Sequence, residues 1–261
     1  MLTTLASYSL ITKDLTRSLE NTSEQPVVAR ETAYYLENIE SVKSIEEFIG
    51  NDRLFRYAMK AHGLSDMAYA KAFMRKVLTE GVDKSESFAN SLVDTRYREF
   101  AEVFNFARFG ETTTVFDKTR QGTVDKYVRA TLEEDAGAQN EGVRLALYFA
   151  RKASGITSTL QLLADKAIMT VVDTALGIPD SVAAGDIDKH AALIEKKLDI
   201  EDLQDPEKLG KLLNRFATLW ELENPSQSAT SPAVLLIGQP IEASIGVNLL
   251  ATLQNLKLGG S

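Results

Sequence analysis

The feature that most constrains this chain is an internal repeat. Residues Arg30 to Asp66, RETAYYLENIESVKSIEEFIGNDRLFRYAMKAHGLSD, align without gaps on Arg144 to Asp180, RLALYFARKASGITSTLQLLADKAIMTVVDTALGIPD, at an offset of 114. Arg30, Tyr34, Ser44, Ala61, Gly63 and Asp66 fall on Arg144, Tyr148, Ser158, Ala175, Gly177 and Asp180. Apolar character also agrees at Phe48/Leu162, Leu54/Ile168, Phe55/Met169 and Leu64/Ile178. A chain that repeats itself builds one supersecondary unit twice and buries the apolar faces against each other.

The matching residues have mechanical sense. Ser44-Ile-Glu-Glu47 and Ser158-Thr-Leu-Gln161 are both capping boxes, in which Ser and Glu/Gln satisfy the first free N–H groups of a helix. Gly63-Leu64 and Gly177-Ile178 both read as helix stops. Glycine there adopts the left-handed conformation and the next apolar residue folds back on the last turn. The two signals bracket a helix of about 18 residues in each copy.

Apolar residues elsewhere recur at helical spacing: Leu54, Phe55, Ala58, Met59 and Ala61; Tyr69, Phe73, Val77 and Leu78; Tyr97, Phe100, Ala101, Phe104 and Phe106. No stretch in the first 220 residues joins sustained alternation to turn signals, so no strand is expected there. Each half closes on an amphipathic helix, Ser87 to Phe106 and Asp205 to Trp220, the second opened by Asp205-Pro206-Glu207. The Gly- and Thr-rich Asn105 to Thr123 reads as the connection between halves. The expected fold is all-α: two pseudo-repeated helical halves packed as one body, residues 1–110 and 111–222. A third region, 223–261, holds the polar linker Asn224 to Pro232 and a C-terminal amphipathic helix, Glu242 to Leu258.

Composition excludes several function classes. The formal net charge is −8 and the basic residues are scattered among acids, which repels a phosphate backbone, so no nucleic-acid partner is expected. With no cysteine and two histidines, thiolate chemistry and histidine-rich metal sites are unavailable, and no cofactor is expected. No Gly-rich phosphate loop, G-x-S-x-G elbow or H-E-x-x-H stands in the chain. Ala233 to Leu253 is the most apolar stretch, but Gln239-Pro240 and Glu242 interrupt it. A spanning helix needs roughly 20 nearly uncharged residues, so no membrane span is expected. Met1-Leu-Thr-Thr-Leu-Ala6 lacks the basic and apolar regions of a cleaved signal peptide.

The remaining candidates for chemistry each have a bland reading. His62 falls in the last turn of a helix, where an imidazolium would favour the dipole, and His190 reads as solvated among Asp186, Asp188, Lys189 and Glu195. The acids Glu133-Glu134-Asp135 and those from Asp199 to Asp205 could serve acid–base work only in a cleft that forces their pKa values apart, and they read as exposed. Asp83, Ser85, Ser87 and Asp94 occupy calcium-loop positions, but Phe88 stands where the turn wants glycine. Arg30/Tyr34 and Arg144/Tyr148 form either a partner-reading surface or an Arg stem laid over a packed Tyr, the structural reading being favoured. No catalytic residue is assigned. The C-terminal helix presents Ile245, Leu249, Leu253 and Leu256 at spacings of four, four and three. Such a face must dock, on its own body or on a protein partner or second copy.

Thr131-Leu-Glu-Glu134, Asn140-Glu-Gly-Val-Arg-Leu-Ala-Leu-Tyr-Phe-Ala-Arg151, Leu163-Ala-Asp165, Ala175-Leu-Gly-Ile-Pro179 and Leu253-Gln-Asn-Leu-Lys-Leu-Gly-Gly260 carry a further signal. Through them the chain, from Thr32 to Gly260, resembles an alphaproteobacterial, all-helical family of unknown function whose members tend to be encoded among flagellar genes. The resemblance implies a bacterial, flagellum-associated role and supplies no catalytic or binding residues. It fits a cytoplasmic location or export through a flagellar secretion apparatus. The expected function is a non-enzymatic protein-interaction protein, a component or assembly helper. The alternative is a small-molecule binder or carboxylate-based enzyme with a cleft between the halves.

Overall fold

The computed structural model describes residues 2–183 and 185–225, and every regular element among them is helical. In chain order the α-helices are α1 (Thr4–Lys13), α2 (Leu15–Ser23), α3 (Pro26–Ile39), α4 (Ile45–Gly50), α5 (Asp52–Ala61), α6 (Lys71–Glu80), α7 (Phe88–Ser91) and α8 (Thr95–Val103). There follow α9 (Phe106–Phe109), α10 (Gln121–Gln139), α11 (Glu141–Lys152), α12 (Thr159–Ala164), α13 (Lys166–Leu176), α14 (Asp180–Ala183), α15 (Ile187–Lys197) and α16 (Pro206–Glu223). Leu2–Asn224 forms one compact unit. The Glu242 to Leu258 segment, with Ile245, Leu249, Leu253 and Leu256, lies outside the described residues.

The sequence repeat is a repeat of structure. Helices α4 and α12 share their bounds at the offset of 114, and α5 and α13 start in register. Both copies end on left-handed glycines, Gly63 with φ 70° and Gly177 with φ 63°. The same two closing bonds follow: Leu64 N–H to Met59 O and Ile178 N–H to Asp173 O, both 2.8 Å, with Gly63 N–H to Lys60 O at 3.0 Å and Gly177 N–H to Thr174 O at 3.1 Å. This is the Schellman closure, which satisfies the last free carbonyls.

The expected single helix of about 18 residues is instead two helices in each copy. Asn51 (φ −81°, ψ 90°) and Asp165 (φ −114°, ψ 113°) leave helical geometry. Each then caps the helix that follows. Asn51 Oδ1 accepts from Leu54 N–H at 3.2 Å; Asp165 Oδ1 accepts from Ala167 and Ile168 N–H at 2.9 and 3.2 Å. Asx side chains compete with the helix for its own donors, and at these positions the cap wins. A tyrosine on the preceding long helix holds each cap: Asn51 Nδ2 donates to Tyr34 Oη at 3.2 Å, and Tyr148 Oη donates to Asp165 Oδ2 at 2.6 Å.

The capping boxes differ. In α4 both sides are made, with Glu47 N–H on Ser44 Oγ at 3.1 Å and Lys43 N–H on Glu47 Oε2 at 2.7 Å. In α12 Gln161 Oε1 accepts from Thr157 N–H at 2.7 Å, but Ser158 makes no side-chain cap bond.

Two buried apolar clusters fill the unit. The first is rich in rings, with Phe48 stacked on Phe104 at 4.8 Å between centroids and Tyr57 on Tyr127 at 3.8 Å. It runs past residue 110 to Val124, Tyr127 and Val128 of α10. The second is mostly aliphatic, built on Leu145, Leu162, Ile168, Val171, Val172, Ile194 and Leu213, with Phe149 and Phe216; Tyr8 of α1 packs against it. At the α1–α11–α16 crossing a Cβ on Gly142 would lie 2.3 Å from Trp220 Cδ1, so only glycine admits this approach.

Two further expectations are corrected. Ser87 to Phe106 is not one helix: α7 ends at Ser91, and Asp94 restarts the chain by capping α8 at Arg96 N–H, 3.0 Å. Asn105 to Thr123 is not a slack connection. Thr113, Thr114, Thr119 and Thr123 are buried, Thr114 Oγ1 donates to Val42 O at 2.8 Å, and Tyr35 Oη donates to Thr119 O at 2.6 Å. Threonine hydroxyls here replace the backbone partners that a regular helix would supply.

Candidate functional site

A buried ion cluster lies where α10 meets α11. Glu133, expected to be solvated, is 5 % exposed. Its Oε1 accepts from Arg129 Nε at 2.9 Å and Arg151 Nε at 2.8 Å, and its Oε2 from Arg151 Nη2 at 2.9 Å. Arg129 also donates to Leu147 O at 3.1 Å. Burial is the largest single influence on Arg151 and works against its charge; the Glu133 hydrogen bond and the charge of Glu133, with smaller help from Tyr148 and Glu99, together outweigh it and hold the guanidinium pKa above its ordinary value. A buried charge is tolerated only when paired and hydrogen-bonded in this way. The i,i+4 relation of Arg129 to Glu133 is visible in the sequence. The bond from Arg151 is not, because it depends on how two helices cross.

Both histidines are also inside. His190, expected on a solvated face, is 2 % exposed, and its Nε2 lies 2.7 Å from Asp173 Oδ1. The pair ties α15 to α13. His62 is the C-cap of α5 and is buried, edge-on to Phe100 at 5.3 Å between centroids. Burial, reinforced by Lys126, Lys152 and Arg151, holds its pKa well below the usual imidazole value, so the favourable dipole that an imidazolium would find at this helix end does not keep it charged.

The other candidates are committed to packing. Asp94 pairs with Arg96 at 2.7 Å, Ser87 is buried with its hydroxyl on Glu80 O, and Asp83 accepts from Asn105, so the calcium-loop positions serve helix ends. Asp199 and Asp205 cap the turns that follow them, and Asp202 pairs with Lys208. Glu134 meets Lys60 at 2.7 Å and Glu141 meets Arg144. Neither Arg of the repeated pair covers its Tyr. Arg53 lies over Tyr34 at 3.8 Å and Arg151 over Tyr148 at 5.0 Å, while Arg30 pairs with Glu31 at 3.3 Å. Among the described residues no group of three or more His, Asp or Glu could hold a metal ion. Among them, too, no helix is long and apolar enough to cross a membrane.

One groove of about 490 Å³ opens between the α1–α2 hairpin and α10. Ile11, Leu132 and Val143 give it apolar walls, and Ser7, Gln25 and Asp135 give it polar ones. Gln25 Nε2 donates to Asp135 Oδ2 across it at 2.9 Å. Glu133, Glu134 and Glu141 are not among its walls. Beside it Thr4 anchors the start of α1, with N–H and Oγ1 on Glu221 Oε2 at 2.8 and 2.6 Å and Asn140 Nδ2 on Thr4 Oγ1 at 2.9 Å.

Comparison with known proteins agrees with this helical architecture. A crystal structure of protein AGR_C_984 from Agrobacterium tumefaciens is 53% identical in sequence, with a TM-score of 0.79, over 86% of this chain and 98% of that one. No curated protein matches the chain. Residues 61–209 match the family described as "Protein of unknown function (DUF1217)". The span runs from the end of α5 into α16 and takes in the buried Glu133 cluster, the His190–Asp173 pair and the second copy of the repeat, and the chain belongs to that family.

Proposed function

We propose that this protein is a non-enzymatic, flagellum-associated interaction protein, a component or an assembly helper. It would engage a protein partner or a second copy through Ile245, Leu249, Leu253 and Leu256. The observation that carries this reading is the helical spacing of those four apolar residues behind the polar stretch Asn224 to Pro232. The body supports it indirectly: its buried acids and histidines are engaged in packing and internal pairs. The flagellar part rests on the family resemblance alone.

The test compares the light-scattering mass of the full chain with that of a version ending at Asn224. A larger mass for the full chain only, abolished by Leu249→Asp with Leu253→Asp, supports the reading. Equal monomeric masses, together with no change in swimming when the gene is deleted in an alphaproteobacterial host, would end it. A second reading, a small-molecule binder, draws on the groove beside Asp135. Ligand-observed NMR on the full chain and on Leu132→Trp, which fills the groove, separates the two readings.

A further inference from the structure

His62 is a buried histidine whose ring nitrogen the fold leaves unpartnered. Its Nε2 is buried and lacks a hydrogen-bond partner, so the ring carries the desolvation cost of a polar atom with no compensating bond. Its ring sits at the C-terminal end of α5, walled by Phe100 at 5.3 Å and Phe104 at 6.0 Å from α8. The charges that act on it are cations, Lys126 from α10 and Arg151 and Lys152 from α11. Arg96 of α8 adds a fourth guanidinium or ammonium next door, hydrogen-bonded to Gly63 O.

The acids nearby are largely taken. Glu99 holds Lys152 at 2.8 Å, Glu133 holds Arg151 at 2.8 Å, and Asp94 holds Arg96 at 2.7 Å. Glu99 and Glu102 both act on Lys126. A proton on His62 would therefore place a further positive charge, desolvated, among these cations at the seam where α5 and α8 meet α10 and α11.

We propose that His62 is an acid-responsive element: on proton uptake its ring leaves the Phe100–Phe104 pocket, and the seam between α5–α8 and α10–α11 loosens. Near neutral pH the imidazole is neutral whether the chain is folded or unfolded. Below about pH 6.5 the unfolded chain binds a proton that the folded site refuses, so stability falls with pH.

The experiment follows urea unfolding of the full chain between pH 8 and 5, beside His62→Phe, which keeps an aromatic ring and cannot titrate. The wild-type folding constant should fall more than that of the variant between pH 7 and 5, by roughly 10- to 25-fold. Amide protection along α5 and α8, corrected for the intrinsic pH dependence of exchange, should fall over the same range in the wild type only. Matching pH profiles for the two proteins would overturn the proposal. If His62→Phe does not fold, the imidazole C2–H titration of the folded wild type decides. A midpoint below 6.5, with the Phe100 and Phe104 ring signals shifting over the same range, supports the proposal; a midpoint at 6.5 or above, or ring signals that do not move down to pH 5, overturns it.

Discussion

The helix pair α4–α5 and its counterpart α12–α13 have matching starts, matching glycine stops and a tyrosine on each internal cap, yet they are packed with different material. Phe48 of α4 meets Phe55, Phe100, Phe104 and Phe106, with centroids 4.8–6.3 Å apart. Its counterpart Leu162 sits in an aliphatic cluster. The two copies share their punctuation and differ in their core material. Caps and glycine stops are satisfied by neighbours in the chain and tolerate any core of suitable volume; core side chains need only fill space together.

The comparison can be tested by substitutions at equivalent positions. The largest effect is expected in the cores. Phe48→Ala should cost about 4 kcal/mol and Leu162→Ala about 3 kcal/mol in urea unfolding, because Phe48 leaves the larger void among rings that cannot collapse. Equal losses would mean that the second core is as rigid as the first.

The internal caps come next. Asp165→Ala should cost about 2 kcal/mol, since Asp165 accepts from two helix N–H groups and from Tyr148. Asn51→Ala should cost about 1 kcal/mol, since Asn51 accepts one helix N–H. If Asn51→Ala proves the more damaging, the caps are not equivalent devices.

The glycine stops should respond alike. Gly63→Ala and Gly177→Ala should each cost about 1 kcal/mol, because both backbones are left-handed and alanine is strained there. Thermal unfolding that separates the two by several degrees would show that the surroundings of one, such as Arg96 at Gly63, matter more than its φ. The smallest difference is expected at the outer caps. Ser44→Ala should lose about 1 kcal/mol with its bond to Glu47 N–H, and Ser158→Ala close to nothing. A measurable loss at Ser158 would show that the hydroxyl finds a partner in solution.

Much of this fold can be read from residue order. The helical class, the register of the two copies, the stops at Gly63 and Gly177 and the Asp205-Pro206 opening of α16 all follow from spacing and capping chemistry. The split at Asn51 and Asp165 was also within reach. Asn51-Asp52 and Asp165-Lys166 carry cap residues inside an apolar helical pattern, and that periodicity conceals them. The candidate site was less legible. Glu133 and His190 stand among charged neighbours in the sequence, which suggests solvent, yet both are buried.

The chain by itself determined most of its helix ends, such as the stops at Gly63 and Gly177 and the Asp205 cap, because these termini are satisfied by groups a few residues away. Tertiary structure decided which charges are inside. Glu133 is stabilised by Arg151, 18 residues on, and His190 by Asp173, 17 residues back. Neither partner can be chosen until helices cross. Burial belongs to the crossing, and no local signal encodes it.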